Sequence, residues 1–209
     1  MLLIDTTSTA MPFGMIMKVC QSGVNAGFSM IELLVTIIIS ITLLAVAIPS
    51  FKSSTQVQQS RAEISNLLND LQFARSEAQK EGQTVTACVS INGTSCTTTA
   101  GWEAGWIIFS DSNGTQQVDA TSDLILRIQK GWTSSDAITT SPAATPVTAI
   151  SYSRFGFALK MASTGIVLTL HTTPANTSAT RCLVLDVMGR QQIQVANQAQ
   201  VANQGAACL

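Results

Sequence analysis

Little of this chain is charged: Asp, Glu, Lys and Arg make up 11% of its 209 residues, and the formal net charge is −1. That balance excludes the global basic field that draws a protein to nucleic acid. Aromatic residues are 5%, and there is a single histidine, His171. With no Cys or carboxylate motif around it, His171 supplies neither a metal site nor an acid–base pair. It reads as a solvated residue at a loop or strand end. No Gly-Lys-Ser/Thr follows Gly101 or Gly105, so there is no phosphate loop. Cys88 and Cys96 lack the histidines or second close Cys pair that would complete four zinc ligands. The sequence therefore offers no catalytic residue, no metal site and no cofactor site, and an enzyme is not expected.

What the chain does have is one long apolar run, Gly27 to Phe51, reading GFSMIELLVTIIISITLLAVAIPSF. A helix needs roughly 20 apolar residues to cross the ~30 Å hydrocarbon core of a bilayer, and Phe28 to Ile48 supplies them. Glu32 is the one charge in that span. A carboxylate inside a membrane is costly and calls for a partner. A secretory signal peptide has a shorter apolar core, about 7–15 residues, followed by a small-residue cleavage site. A plain anchor fits the length but has no use for Glu32.

The junction Gly27-Phe28, the acid at Glu32 and the uncharged run after it resemble the type IV pilin family, including the pseudopilins of type II secretion. The resemblance implies a leader, residues 1–27, cut by a prepilin peptidase between Gly27 and Phe28, with methylation of the new Phe28 amine. Glu32 then corresponds to the family's in-membrane acid, which neutralises a Phe28 amine. The pair is either in its own helix, four residues away, or on the subunit ahead. Initiation at Met11, Met15 or Met17 instead of Met1 leaves the mature chain unchanged.

Beyond the apolar run, Val57, Ile64, Leu68, Leu71, Ala74 and Ala78 recur at helical spacing. Glu63, Asp70, Arg75 and other polar residues fall between them and read as the solvent face. Pro49 should kink or loosen the helix between its halves, and Gly82 is a C-terminal stop. Residues 83–209 read as β. Strands are expected at Thr84–Ile91, Gly105–Asp111, Leu124–Gln129, Ile150–Arg154, Gly165–Leu170, Cys182–Val187 and Gln191–Val195, with turns at Asn92-Gly93 and Asn113-Gly114. Ser134 to Thr148, rich in Ser, Thr, Ala and Pro, reads as a surface loop. The Ala/Gln/Asn-rich tail from residue 196 has only Cys208 to hold it.

Of the five cysteines, Cys20 lies in the expected leader, which leaves Cys88, Cys96, Cys182 and Cys208. Four cysteines allow three pairings; proximity favours Cys88 with Cys96 and Cys182 with Cys208, in an oxidising compartment.

Ala74-Arg-Ser-Glu-Ala78, Gly82, Val85 to Ser90, Cys96, Trp102 to Phe109 and Leu124 to Gln129 resemble, in order, the branch named for the FimT minor pilin and the H-type secretion pseudopilin. A Cys pair around a short turn, followed by Trp102-x-x-Gly-Trp106, is the more FimT-like pattern. The resemblance implies an α+β, type IV pilin-like fold. A long N-terminal helix (28–81, transmembrane over 28–48) packs on antiparallel sheet in a periplasmic domain at 82–209. The protein is then anchored once in the bacterial inner membrane and enters a pilus or pseudopilus beside other pilins. Expected function is a minor pilin that primes or joins a type IV pilus, the alternative being the H-type pseudopilin of type II secretion. A second alternative is a DNA receptor at a pilus. Some FimT-like proteins bind DNA through a C-terminal Gly-Arg-x-Arg; here Gly189-Arg190-Gln191-Gln192 keeps only the first cation. DNA is therefore a candidate partner through Arg190 but not a favoured one, unless Arg181, Arg154, Lys160 or Arg127 joins it on one face.

Overall fold

The computed structural model of the chain describes residues 27–141, 146–196 and 208; the expected leader up to residue 26 and most of the tail fall outside them. Two compact units are distinguished, Met1–Leu44 and Ala45–Leu209. A single helix, α1 (Met30–Glu81), contributes to both. In the first unit every described side chain is exposed, and the helix is long and apolar enough to cross a membrane. Its hydroxyls are satisfied locally. Thr36 Oγ1 donates to the Leu33 carbonyl (2.9 Å), Ser40 Oγ to Thr36 (2.7 Å) and Thr42 Oγ1 to Ile39 (2.8 Å). That is how polar side chains become compatible with lipid. Pro49 lies inside α1 without ending it, although its missing N–H deprives the Ala45 carbonyl of a helical partner.

In the second unit, α1 buries Ser60, Glu63, Ile64, Leu67, Asp70, Leu71, Ala74 and Ala78. This stripe corrects the sequence expectation in two ways. Leu67 takes the fully buried position and Leu68 only flanks the core, and two acids read as solvent-facing are inside. Small Ala74 and Ala78 near the C-terminal end let strands approach the helix closely. Gly82 closes it in the left-handed region (φ 70°), its N–H bonded to the Ala78 carbonyl.

Nine strands follow: β1 (Val85–Val89), β2 (Gly105–Ser110), β3 (Ile125–Lys130), β4 (Ala137–Ser141), β5 (Ala149–Tyr152), β6 (Ala158–Leu159), β7 (Ile166–His171), β8 (Arg181–Leu185) and β9 (Gln191–Val195). They form two antiparallel sheets, ordered β3-β2-β1-β5-β6 and β4-β7-β8-β9. Strand alternation sends Val85, Ala87, Val89, Trp106, Ile108, Ile150 and Tyr152 of the first sheet into the main core with the helix. Ile166, Leu168, Leu170, Leu183 and Leu185 enter it from the second. The expected loop at Ser134–Thr148 is corrected: it contains β4, an edge strand paired to β7 from Ala137↔His171 to Ser141↔Val167. Its composition, Ala-Ile-Thr-Thr-Ser with one large apolar residue, hides a strand that needs only one partner and one buried side chain, Ile138.

The outer faces of the sheets are also covered. On the first, Asp111 is fully buried and holds its loop down. It accepts from the N–H groups of Thr115 (2.9 Å) and Gln116 (3.0 Å) and from Thr86 Oγ1 (2.7 Å). Each outer face also carries one disulfide. Cys88 of β1 bonds Cys96, with Cα atoms 5.6 Å apart, and Cys182 of β8 bonds Cys208, at 5.8 Å. The second joins residues 26 apart, a closure worth about 3.5 kcal/mol by the chain-entropy relation. Replacing both Cys182 and Cys208 with Ser should therefore lower stability by about that amount, and more than replacing the Cys88–Cys96 pair. Non-reducing peptide mapping with thermal unfolding checks this; free thiols, crossed pairing or an unchanged Tm would refute it.

Candidate functional site

The residues singled out by sequence are not gathered in one place. Gly27, Phe28 and Ser29 are non-helical and precede α1, with Phe28 83% exposed. Glu32 lies in the first turn of α1. Residue 28 lies two residues before the helix starts, and in the uncut chain its nitrogen is a peptide N–H rather than an amine. Unlike Thr36, Ser40 and Thr42, Glu32 has no hydrogen bond to a described residue. A carboxylate there is suited to meeting a charge from elsewhere.

Arg190 closes the β8–β9 turn. Its Nε donates to Asp186 Oδ2 at 2.8 Å and its backbone N–H to Asp186 Oδ1 at 2.8 Å. Burial raises the Asp186 carboxyl, but the Arg190 backbone and side-chain hydrogen bonds and its charge outweigh that and hold the pKa below the ordinary range. Gly189 takes φ 73° in the same turn.

Most of the cations proposed to join Arg190 do not. Arg181 is buried at the far end of the β8–β9 ladder, opposite Val195, and donates to the carbonyls of Ser178 and Thr180. Burial and then the charge of Arg61 lower its pKa. Arg127 belongs to β3 on another edge and pairs with Asp70, and Lys160 Nζ donates to the Gly114 carbonyl. Only Arg154 is adjacent. Its turn meets the Arg190 turn through Ala158 N–H to the Val187 carbonyl (3.1 Å). Arg75, which was not singled out for this role, donates to a carbonyl in each of these turns.

The buried polar residues of α1 are what sequence reasoning missed. Asp70, 6% exposed, accepts from Trp106 Nε1 at 2.8 Å and from Arg127 Nη1. The Arg127 guanidinium lies 4.0 Å over the Phe73 ring. Glu63 Oε1 accepts from Ser134 Oγ (2.8 Å) and Gln59 Nε2 (3.1 Å), while Oε2 has no partner among the described residues. Arg75 spans two turns, Nε to the Gly156 carbonyl (2.9 Å) and Nη2 to Met188 (3.1 Å). A signal existed. Glu63 and Asp70 each directly precede a core residue, Ile64 and Leu71, and repeat at the same interval.

Burial raises the Glu63 pKa; hydrogen bonds from Gln59 and Ser134 oppose this, and the Asp136 carboxylate adds to it. An acid whose folded pKa is raised contributes stability that is complete below its unfolded pKa and lost as pH rises through the folded value. Glu63→Gln should thus raise Tm at about pH 7, by an amount that shrinks as pH falls toward the ordinary glutamate range. A lower Tm for the Gln variant at neutral pH would show that the charged form is the stabilising one.

His171 ends β7, exposed, with Nε2 3.0 Å from Thr139 Oγ1. Trp102 and Trp106 are core residues, each 1% exposed. No cluster of three or more metal-ligating side chains occurs among the described residues.

A helix apolar in its first half and buried against antiparallel sheets in its second is the architecture of a pilin-like structural subunit. The chain belongs to the GspH family: the family model described as type II transport protein GspH matches residues 63–189, more than half of its length. Such subunits are not enzymes. Among solved structures, two crystal forms of the Pseudomonas aeruginosa type IV minor pilin FimU are similar, at 19% identity. One covers 69% of this chain and 92% of that one with a TM-score of 0.49; the other covers 68% and 91% at 0.44. No curated protein matches the chain.

Proposed function

We propose that this chain is a minor pilin that primes or joins a type IV pilus filament. The observation that carries the reading is the state of α1: an exposed apolar half in which every helical hydroxyl is self-satisfied and a single carboxylate, Glu32, is left for an external charge. Family membership supports the same class. In this reading a prepilin peptidase cuts after Gly27 and the Phe28 amine is methylated. Residues 28–48 cross the inner membrane once, and the sheet domain is periplasmic. Assembly then transfers the apolar half into a filament among other pilins. The Cys88–Cys96 pair followed by Trp102-x-x-Gly-Trp106 favours the pilus branch. The family description favours the H-type pseudopilin of type II secretion as the alternative. Loss of pili, against loss of protein secretion, in a deletion strain separates the two. The DNA-receptor reading has less support, because Arg190 is paired with Asp186 and, of the cations named with it from sequence, Arg181, Arg127 and Lys160 are engaged elsewhere.

Processing is directly testable. A side chain added at Gly27 meets nothing within 4 Å, so a bulky replacement does not disturb the described fold. Gly27→Leu should leave a full-length, membrane-bound precursor absent from filaments. The wild-type mature protein should begin at Phe28 by N-terminal sequencing. Any other start would overturn the assignment.

A further inference from the structure

Outside α1 and the Phe28 that precedes it, the large apolar side chains exposed among the described residues are Ile91, Leu124, Ile128, Phe155, Phe157, Leu159 and Met188. The last four lie on two adjoining turns and the short strand β6. Phe155 is 65% exposed, Met188 53% and Phe157 46%. Isolated apolar residues on a surface need no explanation; four gathered on two touching turns and the strand between them do.

This group is held rigidly. The Ser153–Phe157 turn closes through Gly156 N–H to the Ser153 carbonyl (2.8 Å), and the other through Gly189 N–H to Asp186 (2.9 Å). Arg75 of α1 donates to a carbonyl in each turn. Gly156 and Gly189 both have positive φ, and a Cβ on Gly189 would collide with the Gly156 carbonyl, so the turns touch where only glycine fits. A surface fixed in advance loses little entropy on binding. Two cations border it. Arg154 stacks on Phe155, 4.9 Å from the ring centre, and makes no ion pair with a described residue; the Arg190 side chain is 76% exposed. Phe, Met and Arg together are the composition of interface cores.

We infer that these two turns are a docking surface for a different protein subunit, one presenting an apolar patch edged with carboxylates. The inference rests on the filament reading and names one contact within it. A second copy of this chain is a poor occupant. Two such surfaces face to face would oppose their own arginines. The other exposed apolar group, Leu124 and Ile128, adjoins Arg127 and Lys130 at the opposite edge of the five-stranded sheet. The neighbouring Asp123 carboxylate there is engaged by Ser112 and the Asp119 N–H. Nucleic acid is the rival occupant, because Phe155 and Phe157 can stack bases; it fits less well because the other half of the group, Met188 and Leu159, is aliphatic and offers no stacking face.

The test is photo-crosslinking of the full chain in the cells that make it, with a benzophenone amino acid at position 188. The adduct should contain another pilin-like protein, joined through a peptide carrying Asp or Glu. Phe157→Ser and Arg154→Glu should each cut its yield at least about tenfold. Both disulfides should still form, which shows that the variants fold. An adduct with a second copy, with nucleic acid, or unaffected by both substitutions would overturn the surface. So would filament incorporation of the wild type with no adduct. Absence of the wild-type chain from filaments would instead defeat the filament reading, which keeps the two failures apart.

Discussion

Glu32→Ala should enter the membrane at least as well as the wild type and fail to enter filaments. The two effects have opposite signs for one reason. A carboxylate opposes insertion, by up to about 2.5–3.5 kcal/mol for an acid at the centre of a span and less near its end. In the proposed assembly the same carboxylate would neutralise an amine, and removing one partner of a buried pair costs about 3–5 kcal/mol. A third of that is already about tenfold in an equilibrium. Incorporation should therefore fall by tenfold or more while the membrane-bound pool is unchanged or larger. Glu32→Gln keeps the shape and loses the charge, so it should behave like the Ala variant if charge is what matters. Sheared-filament immunoblots against membrane fractions give both quantities. Normal incorporation of Glu32→Ala would remove Glu32 from the assembly mechanism.

The parts of this molecule that were legible in its sequence are those governed by local pattern. The apolar run is continuous, so α1 was visible; the observed start at Met30 differs from the expected 28 by a helix end. Seven of the nine strands lie within expected stretches or a residue of them, because Val, Ile, Thr and aromatic residues alternate between turn dipeptides. Gly93 and Gly114 adopt φ 73° and 67°, as the Asn-Gly turns require. β4 and β6 were invisible for a physical reason. β4 has one large apolar residue among Ala, Thr and Ser, and β6 is two residues long, too short for alternation to register.

The buried polar residues of α1 were lost for the converse reason. Periodicity sorts residues by polarity, and it places any Glu, Asp or Arg outside. It has no access to Trp106 and Arg127, which lie far along the chain and make Asp70 tolerable inside. Arg75 is similar: its role depends on two turns, around Gly156 and Met188, that only the folded chain brings together. Arg190 shows the same limit at the candidate contact. Its position in a motif was readable, but its ion pair with Asp186 and its distance from Arg181 depend on strand register.

Asp70→Ala should be the most damaging substitution of a polar residue on the buried face of α1. The side chain joins three elements: the helix, Trp106 in β2 and Arg127 in β3. Removing it strands the Trp106 N–H in the core, which costs about 1–3 kcal/mol. It also leaves the Arg127 guanidinium without its carboxylate. That second cost lies below the usual 3–5 kcal/mol for a buried pair, because Arg127 is 44% exposed and partly solvated. Together the losses come to about 3 kcal/mol, or roughly 6–12 °C in Tm for a domain of this size. Asp70→Asn separates them, since its amide oxygen still accepts from Trp106 while the charge is gone, and it should lose about half as much. Arg127→Met in the Asp70→Asn background should add little, because the ion pair is already absent. Thermal unfolding of the wild type, Asp70→Asn, Arg127→Met and the double variant gives the cycle. An Asp70→Ala protein with wild-type Tm would show that the Asp70–Trp106–Arg127 contact is not what ties α1 to the five-stranded sheet.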